Sequence, residues 1–371
     1  MDAPVLFRRL ETASGLAFGR ATLNQPASLN ALSLEMIDLL LPQLAAWAAD
    51  DRIAGVILDS CSEKAFCAGG DVVDLYRSIR ATPAGQVPER AAAFFEREYR
   101  LDHLIHCYPK PLLAWGHGIV MGGGIGLLAG ASHRVVTAKT RFAMPEITIG
   151  LYPDVGGSWF LQRMPGRAGL FLALTGAPLN ASDALFAGLA DFALPVDGLN
   201  ALLDDIVAAG WQGEHQADAA RLDHLLLRHA TQDLPASPLR EQLPRINELI
   251  GRDPLQQIAP RLTALASDPD PWLAQAGANF AKGSPTSAAL SFELQHATRH
   301  ASLAEVFRLE YQASVGCCLQ HDFAEGVRAL LVDKDRKPVW QPATLAELTP
   351  ELIEAHLAPR FAGLHPLADL T

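Results

Sequence analysis

The stretch GIVMGGGIGLLAG, residues 118–130, places three consecutive glycines behind a strand-like run and ahead of a short apolar segment with helical spacing. Glycine at such a junction lets backbone N–H groups approach a ligand with no Cβ in the way. Gly124, Gly126 and Ala129 also satisfy the GxGxxA dinucleotide fingerprint, and Glu146 lies about where a ribose-binding acid belongs. Three features weigh against that match. Only a few residues of helix fit between Ala129 and the strand-like HRVVTA, the motif sits mid-chain rather than on a first strand, and Glu146 follows Pro145. A tight helix-to-strand packing contact with no ligand is the plainer alternative.

Working outward, strand patterns fall near VLFRRL, LAFGRATL, AGVILDS, KPLLAWGHG, HRVVTA and RFAM. Helical patterns fall over SLEMIDLLLPQLAAWAAD, with Ser33 as N-cap, and over ERAAAFFEREYRLDHLIHC and GGSWFLQRM. That alternation predicts an α/β fold. After about residue 210 the strand signals fade, and helical patterns run through DAARLDHLLLRHA, QQIAPRLTALA, TSAALSFELQHATRH and LAEVFRLEYQASVGCCL. The proline-rich QDLPASPLREQLPRI is the expected linker between the two parts.

Composition narrows the class of function. The chain is 49% hydrophobic and 19% charged, too apolar for disorder, and its net charge of −11 offers no basic face for nucleic acid. No apolar run is long enough to suggest a membrane span. The N-terminus lacks the pattern of a signal or transit segment, so a cytoplasmic location is expected. Five cysteines without paired CxxC spacing predict reduced thiols. His296 and His300 have the spacing of a helical metal pair but no acid at the second position of an HExxH motif, so no metal is expected. His117 reads as a hydrogen-bonded core histidine.

Two further stretches carry chemistry. KAFCAGGDVVDLY, residues 64–76, is a second glycine-rich turn leading into a helix whose first turn holds Asp71. It is either a simple N-capped helix start or, with the first turn, one of two backbone donors aimed at a single carbonyl oxygen. MPEITIGLYPDVGG, residues 144–157, sets Glu146 and Asp154 in apolar surroundings. By themselves they read as a Glu opening a turn after proline and an Asp capping the helix that begins near Gly156.

FCAGGD, MGGGIGL and FAMPEITIGLYPDVGG together resemble the crotonase (enoyl-CoA hydratase/isomerase) superfamily, and within it the 3-hydroxyisobutyryl-CoA hydrolase branch. The resemblance extends through FFEREYRLDHLI, LFLALTGAPLNASDALFAG, SPTSAALSFELQ, LEYQASVGCCLQHDFAEGVRALLVDKDRKPVW and ELTPELIEAHL, so it covers nearly the whole chain. It implies a crotonase-type spiral of ββα units with the acyl-CoA site over residues 1–210 and an α-helical C-terminal region over 211–371.

The resemblance also implies roles. The N–H groups of Gly70 and Gly123 would hold the thioester oxygen, a donor type worth about 3 to 4 kcal/mol to a transition state. Hydratases of the superfamily use two glutamates, the first three residues after the middle glycine; here that position is Gly126. In the hydrolase branch the chemistry falls to the counterparts of Glu146 and Asp154. Glu146 would attack the carbonyl carbon or act as base on water, and Asp154 would orient the water or the departing thiol. Glu98, an ordinary exposed charge on helical periodicity alone, would accept a hydrogen bond from the substrate hydroxyl. Ser28, Leu29, Ala31 and Ala68 would hold the adenine and pantetheine of CoA, and Lys334 and Lys337 would meet its phosphates.

The expected activity is hydrolysis of a short branched 3-hydroxyacyl-CoA, a step of valine catabolism, with no cofactor beyond the substrate's own coenzyme A. Alternatives are a double-bond isomerase or hydratase-type enzyme, and a non-catalytic acyl-CoA-binding protein. No nucleic-acid or membrane partner is expected, and a homo-oligomer is compatible with the family.

Overall fold

The computed structural model describes residues 3–371. By compactness the chain divides into two units, each assembled from separated segments: one runs through Gly70 and takes in Arg100–Phe142 and Leu179–Ser237, the other joins Asp71–Tyr99, Ala143–Pro178 and Pro238–Thr371. Residue 210 lies within the first unit. The junction at Ser237/Pro238 falls inside the expected linker, but only residues 230–237 lack regular structure; from Pro238 the segment is a helix reaching Ile250, with Pro244 inside it.

The first unit holds the sheets. Six strands, β1 (Val5–Glu11), β2 (Ala17–Leu23), β3 (Ile53–Ser60), β5 (Leu112–Gly116), β7 (His133–Val136) and β10 (Phe192–Ala193), form one sheet in the order β1-β2-β3-β5-β7-β10. β1 and β2 are antiparallel and the remaining pairs are parallel. All eight residues of β3 are buried, the pattern of a central strand covered on both faces. Helix α1 (Leu34–Ala49) starts where the sequence placed it, the Ser33 side chain accepting from the Met36 N–H. The core joins Phe18, Ile57, Leu113, Trp115 and Val135 of the sheet to Leu202, Ile206, Leu222 and Leu226 of two later helices and to Trp211 between those helices, with Phe18 and Trp211 ring centroids 4.5 Å apart.

A second sheet is made of very short strands in the order β4 (Ala65–Cys67), β6 (Ile119–Met121), β8 (Arg141–Ala143) and β9 (Leu179–Asn180). β4, β9 and β10 escape a pattern reading because two or three residues show no period.

In the second unit lie α2 (Val72–Ala81), the Glu89–Tyr99 part of α3 (Glu89–His106) and a series of helices from Pro238 onward. Among the described residues no strand follows Ala193, in keeping with the fading strand signals. The expected GGSWFLQRM helix is one α-turn, Gly157–Phe160, followed by a 3-10 turn through Arg163.

Candidate active site

The backbone donors belong to the first unit. β4 and β6 run parallel, Cys67 beside Val120, so both glycine-rich turns leave the same end of the strand pair. They then pack against each other. A Cβ on Gly124 would stand 2.4 Å from the Cys67 carbonyl oxygen, and one on Gly69, whose φ is +108°, would meet the Met121 oxygen at 3.4 Å. Only glycine permits that approach. Gly123 opens α4 (Gly123–Ala129), and the first N–H groups of a helix have no partner within it. The Gly70 N–H, between β4 and the Asp71 N-cap of α2, has no acceptor among the described residues. Two neighbouring turns thus each present a main-chain donor, whereas the Rossmann alternative fails because α4 is only seven residues long.

Beside β4 lies the loop expected to hold CoA. The Ala68 N–H donates to the Leu29 oxygen at 3.1 Å, and the Ala31 N–H to the Ser28 oxygen at 3.1 Å, bringing all four expected residues together. Leu29 and Asn30 both have left-handed φ, 55° and 54°. Asn30, not anticipated from the sequence, fixes this strained pair: it is fully buried, donates to the Ala65 and Phe66 oxygens and accepts from the Gln25 N–H.

The carboxyl groups belong to the second unit. Glu146 begins the 3-10 turn Glu146–Ile149 after Pro145, as read, yet it is only 5% exposed and its Oε2 has no partner among the described residues. Burial, and then the nearby Asp154, drive its pKa well above the ordinary carboxylate value. The turn is clamped from below: the Ser284 N–H donates to the Ile147 oxygen, and Cβ atoms on Gly150 and Gly326 would collide with the Asp322 backbone and with Ile149.

Asp154 does not cap the following helix with its side chain; its backbone oxygen accepts from the Gly157 N–H. The carboxyl is instead buried, its Oδ2 2.7 Å from the Tyr99 hydroxyl, and burial raises its pKa to about 6. Val155, directly after it, has a φ of 53°, a strained value for a β-branched residue. Glu98, one residue before Tyr99 on α3, is 2% exposed rather than a surface charge.

A fourth carboxyl was not anticipated. Glu310, on the helix Leu303–Leu319, is fully buried and accepts from the Gly156 and Ser158 N–H groups at 2.8 and 2.9 Å. Burial, then Asp154, raise its pKa to about 8. One turn later Ser314 contacts the hydroxyls of Tyr99 at 2.7 Å and Tyr152 at 2.8 Å, and Tyr152 donates to the Glu310 carbonyl oxygen. The signal for these residues was a polar pair at i and i+4 on a helix face otherwise made of Val306, Phe307, Ala313 and Cys317.

The remaining expectations land elsewhere. Lys334 and Lys337 are exposed on a segment that Arg328 ties down through Asp333 and Asp335. His300 lies beyond the helix that ends at Ala297, so it shares no helical turn with His296. His117 Nε2 lies 2.5 Å from the Ser62 oxygen, a structural contact. No helix among the described residues is long and apolar enough to cross a membrane.

Residues 18–357 match the model of the enoyl-CoA hydratase/isomerase family. The chain is 40% identical to the mitochondrial 3-hydroxyisobutyryl-CoA hydrolase of Xenopus laevis over 347 residues, covering 93% of this chain and 87% of that protein. It is 37% identical to the human enzyme of the same name, covering 91% and 85%. A solved structure described as a carnitinyl-CoA dehydratase from Mycobacterium thermoresistibile superposes with a TM-score of 0.84 at 38% identity, covering 96% of this chain and 97% of that one. An enoyl-CoA hydratase from Rhodobacter sphaeroides 2.4.1 gives 0.82 at 34% identity, covering 96% and 98%. The cytoplasmic expectation is overturned here: the curated relatives that match over most of the chain are mitochondrial enzymes. The fold is the α/β crotonase type with a helical C-terminal region, and the chain belongs to the enoyl-CoA hydratase/isomerase family.

Proposed function

We propose that the chain hydrolyses 3-hydroxyisobutyryl-CoA to the free acid and coenzyme A. Relatives of that name at 37–40% identity over most of the chain support the substrate. The observation that carries the chemistry is Glu146, a buried carboxyl with one oxygen unpartnered among the described residues and with Asp154 acting on its charge. Such a group is kept poorly solvated and hence reactive.

In this reading the Gly70 and Gly123 N–H groups take the thioester oxygen as it gains charge. Glu146 attacks the carbonyl carbon, giving an anhydride that water then opens, or removes a proton from the attacking water; either route consumes one water and releases one thiol. Asp154 serves the water or the leaving thiolate, and Glu98 accepts from the substrate's 3-hydroxyl. Ser28, Leu29, Ala31 and Ala68 hold the CoA body, and Lys334 and Lys337 its phosphates. No resident cofactor is proposed, because hydrolysis moves neither electrons nor a carried group.

Solved neighbours described as a hydratase and a dehydratase raise the alternative of water addition. Gly126 argues against it, since it has no side chain to supply the first acid of such a pair. A thiol-release assay with 3-hydroxyisobutyryl-CoA tests the choice: release abolished by Glu146→Ala supports hydrolysis, whereas hydration of an enoyl-CoA without free thiol overturns it.

A further inference from the structure

Four close contacts link Asp154 to the Glu310 carbonyl through three hydroxyls: Asp154 to Tyr99 at 2.7 Å, Tyr99 to Ser314 at 2.7 Å, Ser314 to Tyr152 at 2.8 Å and Tyr152 to the carbonyl oxygen at 2.6 Å. Each contact needs one proton, and each hydroxyl carries one. The hydroxyls therefore bring three protons to four contacts. If Asp154 is ionised, Tyr99 donates to it and Ser314 donates to Tyr99. Tyr152 can then fill only one of the two remaining contacts, and the other sets lone pair against lone pair. If Asp154 carries a proton, it donates to Tyr99, Tyr99 to Ser314, Ser314 to Tyr152 and Tyr152 to the carbonyl, and every contact is filled.

We propose that Ser314 is a positioning residue for the reaction: with Tyr99 and Tyr152 it forms a one-way hydroxyl chain that is fully satisfied only when Asp154 is a neutral acid. This rests on the hydrolase reading, in which Asp154 exchanges a proton with water or the departing thiolate. Losing that proton obliges Tyr99 and Ser314 to reverse, at the cost of one buried contact.

The surroundings agree. Among the described residues, the titratable groups that interact with Asp154 include Tyr99 on α3, Glu146, Tyr152, and Glu310 and Cys317 on the helix Leu303–Leu319, all of them acids. The Glu310 carboxyl, held in place by the Gly156 and Ser158 N–H groups, adds a further acid to these surroundings.

The chain makes two removals act in opposite directions. In Ser314→Ala the neutral Asp154 would leave the Tyr99 proton without an acceptor, whereas the ionised form keeps its donor, so Asp154 gives up its proton more readily. In Tyr99→Phe the ionised form loses its donor, so Asp154 holds its proton more firmly. The kcat–pH profile for thiol release is therefore expected to move its Asp154 limb down by about one pH unit in Ser314→Ala and up by a similar amount in Tyr99→Phe. A merely structural role would lower kcat in both without moving the limb in opposite senses.

Infrared titration of the wild-type protein provides a test that needs neither variant to fold well. The carboxylic-acid band that Asp154→Asn removes should persist to pH 6 or above; full ionisation of Asp154 at pH 5, or limbs that coincide in wild type, Ser314→Ala and Tyr99→Phe, would overturn the proposal. Wild-type protein that releases no thiol would instead overturn the hydrolase reading, and the infrared titration would still decide the chain.

Discussion

The amide pair and the carboxyl cluster are built by opposite means. Gly70 and Gly123 offer main-chain donors at the ends of two parallel strands, and what protects them is the absence of side chains around Gly69, Gly122 and Gly124. Glu146, Asp154 and Glu310 offer side chains, each buried and each depending on residues distant in sequence, such as Tyr99 and Ser314 for Asp154 and the Ser284 N–H for the Glu146 turn. The lesson is that the first kind of site breaks when something is added and the second when something is removed.

The largest effect should come from the carboxyl cluster. Glu146→Gln, close in shape, should lower kcat for thiol release by about 10²- to 10⁴-fold. It should leave stability unchanged or higher, because a buried carboxyl under repulsion becomes a neutral amide; steady-state kinetics and thermal melts check both. A wild-type rate in this variant would break the comparison at its root.

Addition should be tested at Gly124→Ala, whose new Cβ meets the Cys67 backbone at 2.4 Å and must push the two turns apart. Loss of donor alignment is expected to reduce kcat by about 10²- to 10³-fold, with destabilisation of about 1–3 kcal/mol from overpacking. A variant with normal kcat would show that the amide pair tolerates displacement.

Gly150→Ala sharpens the contrast, since it adds bulk beneath the carboxyl half. Its φ of +75° and a 2.2 Å approach to the Asp322 oxygen predict a loss of about 2–4 kcal/mol in urea unfolding, with a parallel fall in kcat.

Protonation gives a smaller, signed effect. Asp154 at about 6 and Glu310 at about 8 lie above the ordinary 3.8 and 4.5, so the folded chain binds more protons than the unfolded one between those values. Their contribution therefore favours folding most below about pH 4 and is lost as pH rises through 6 and then 8. Comparing wild type with Asp154→Asn, the wild type should lose an additional 1–3 kcal/mol, to order of magnitude, between pH 4 and 7. A constant difference across that range contradicts the assignment. Least of all, Lys334→Ala with Lys337→Ala should raise KM for the acyl-CoA by about two- to fivefold with kcat unchanged, because solvated charges contribute little.

Much of the first unit was legible. The Ser33 cap, the long strands β1, β2, β3 and β5, and the glycine turns follow from local rules, in which residue type and spacing alone dictate backbone shape. The carboxyl half was half legible: Glu146 and Asp154 were found through the resemblance, whereas local reading made them a turn residue and a cap. Glu98 on helical periodicity alone was an exposed charge, yet α3 buries it.

By itself the sequence determined the α/β order of elements, the helical C-terminal region, the two glycine turns and the replacement of a hydratase acid by Gly126, because each is written in residues close together along the chain. Only the tertiary structure decided that Tyr99, Ser314, Tyr152 and Glu310 gather around Asp154 as hydroxyls and acids, and that Asn30 pins the loop beside β4. Burial and hydrogen-bond partnership depend on segments separated by up to 215 positions, and they set a carboxyl's protonation where residue type cannot.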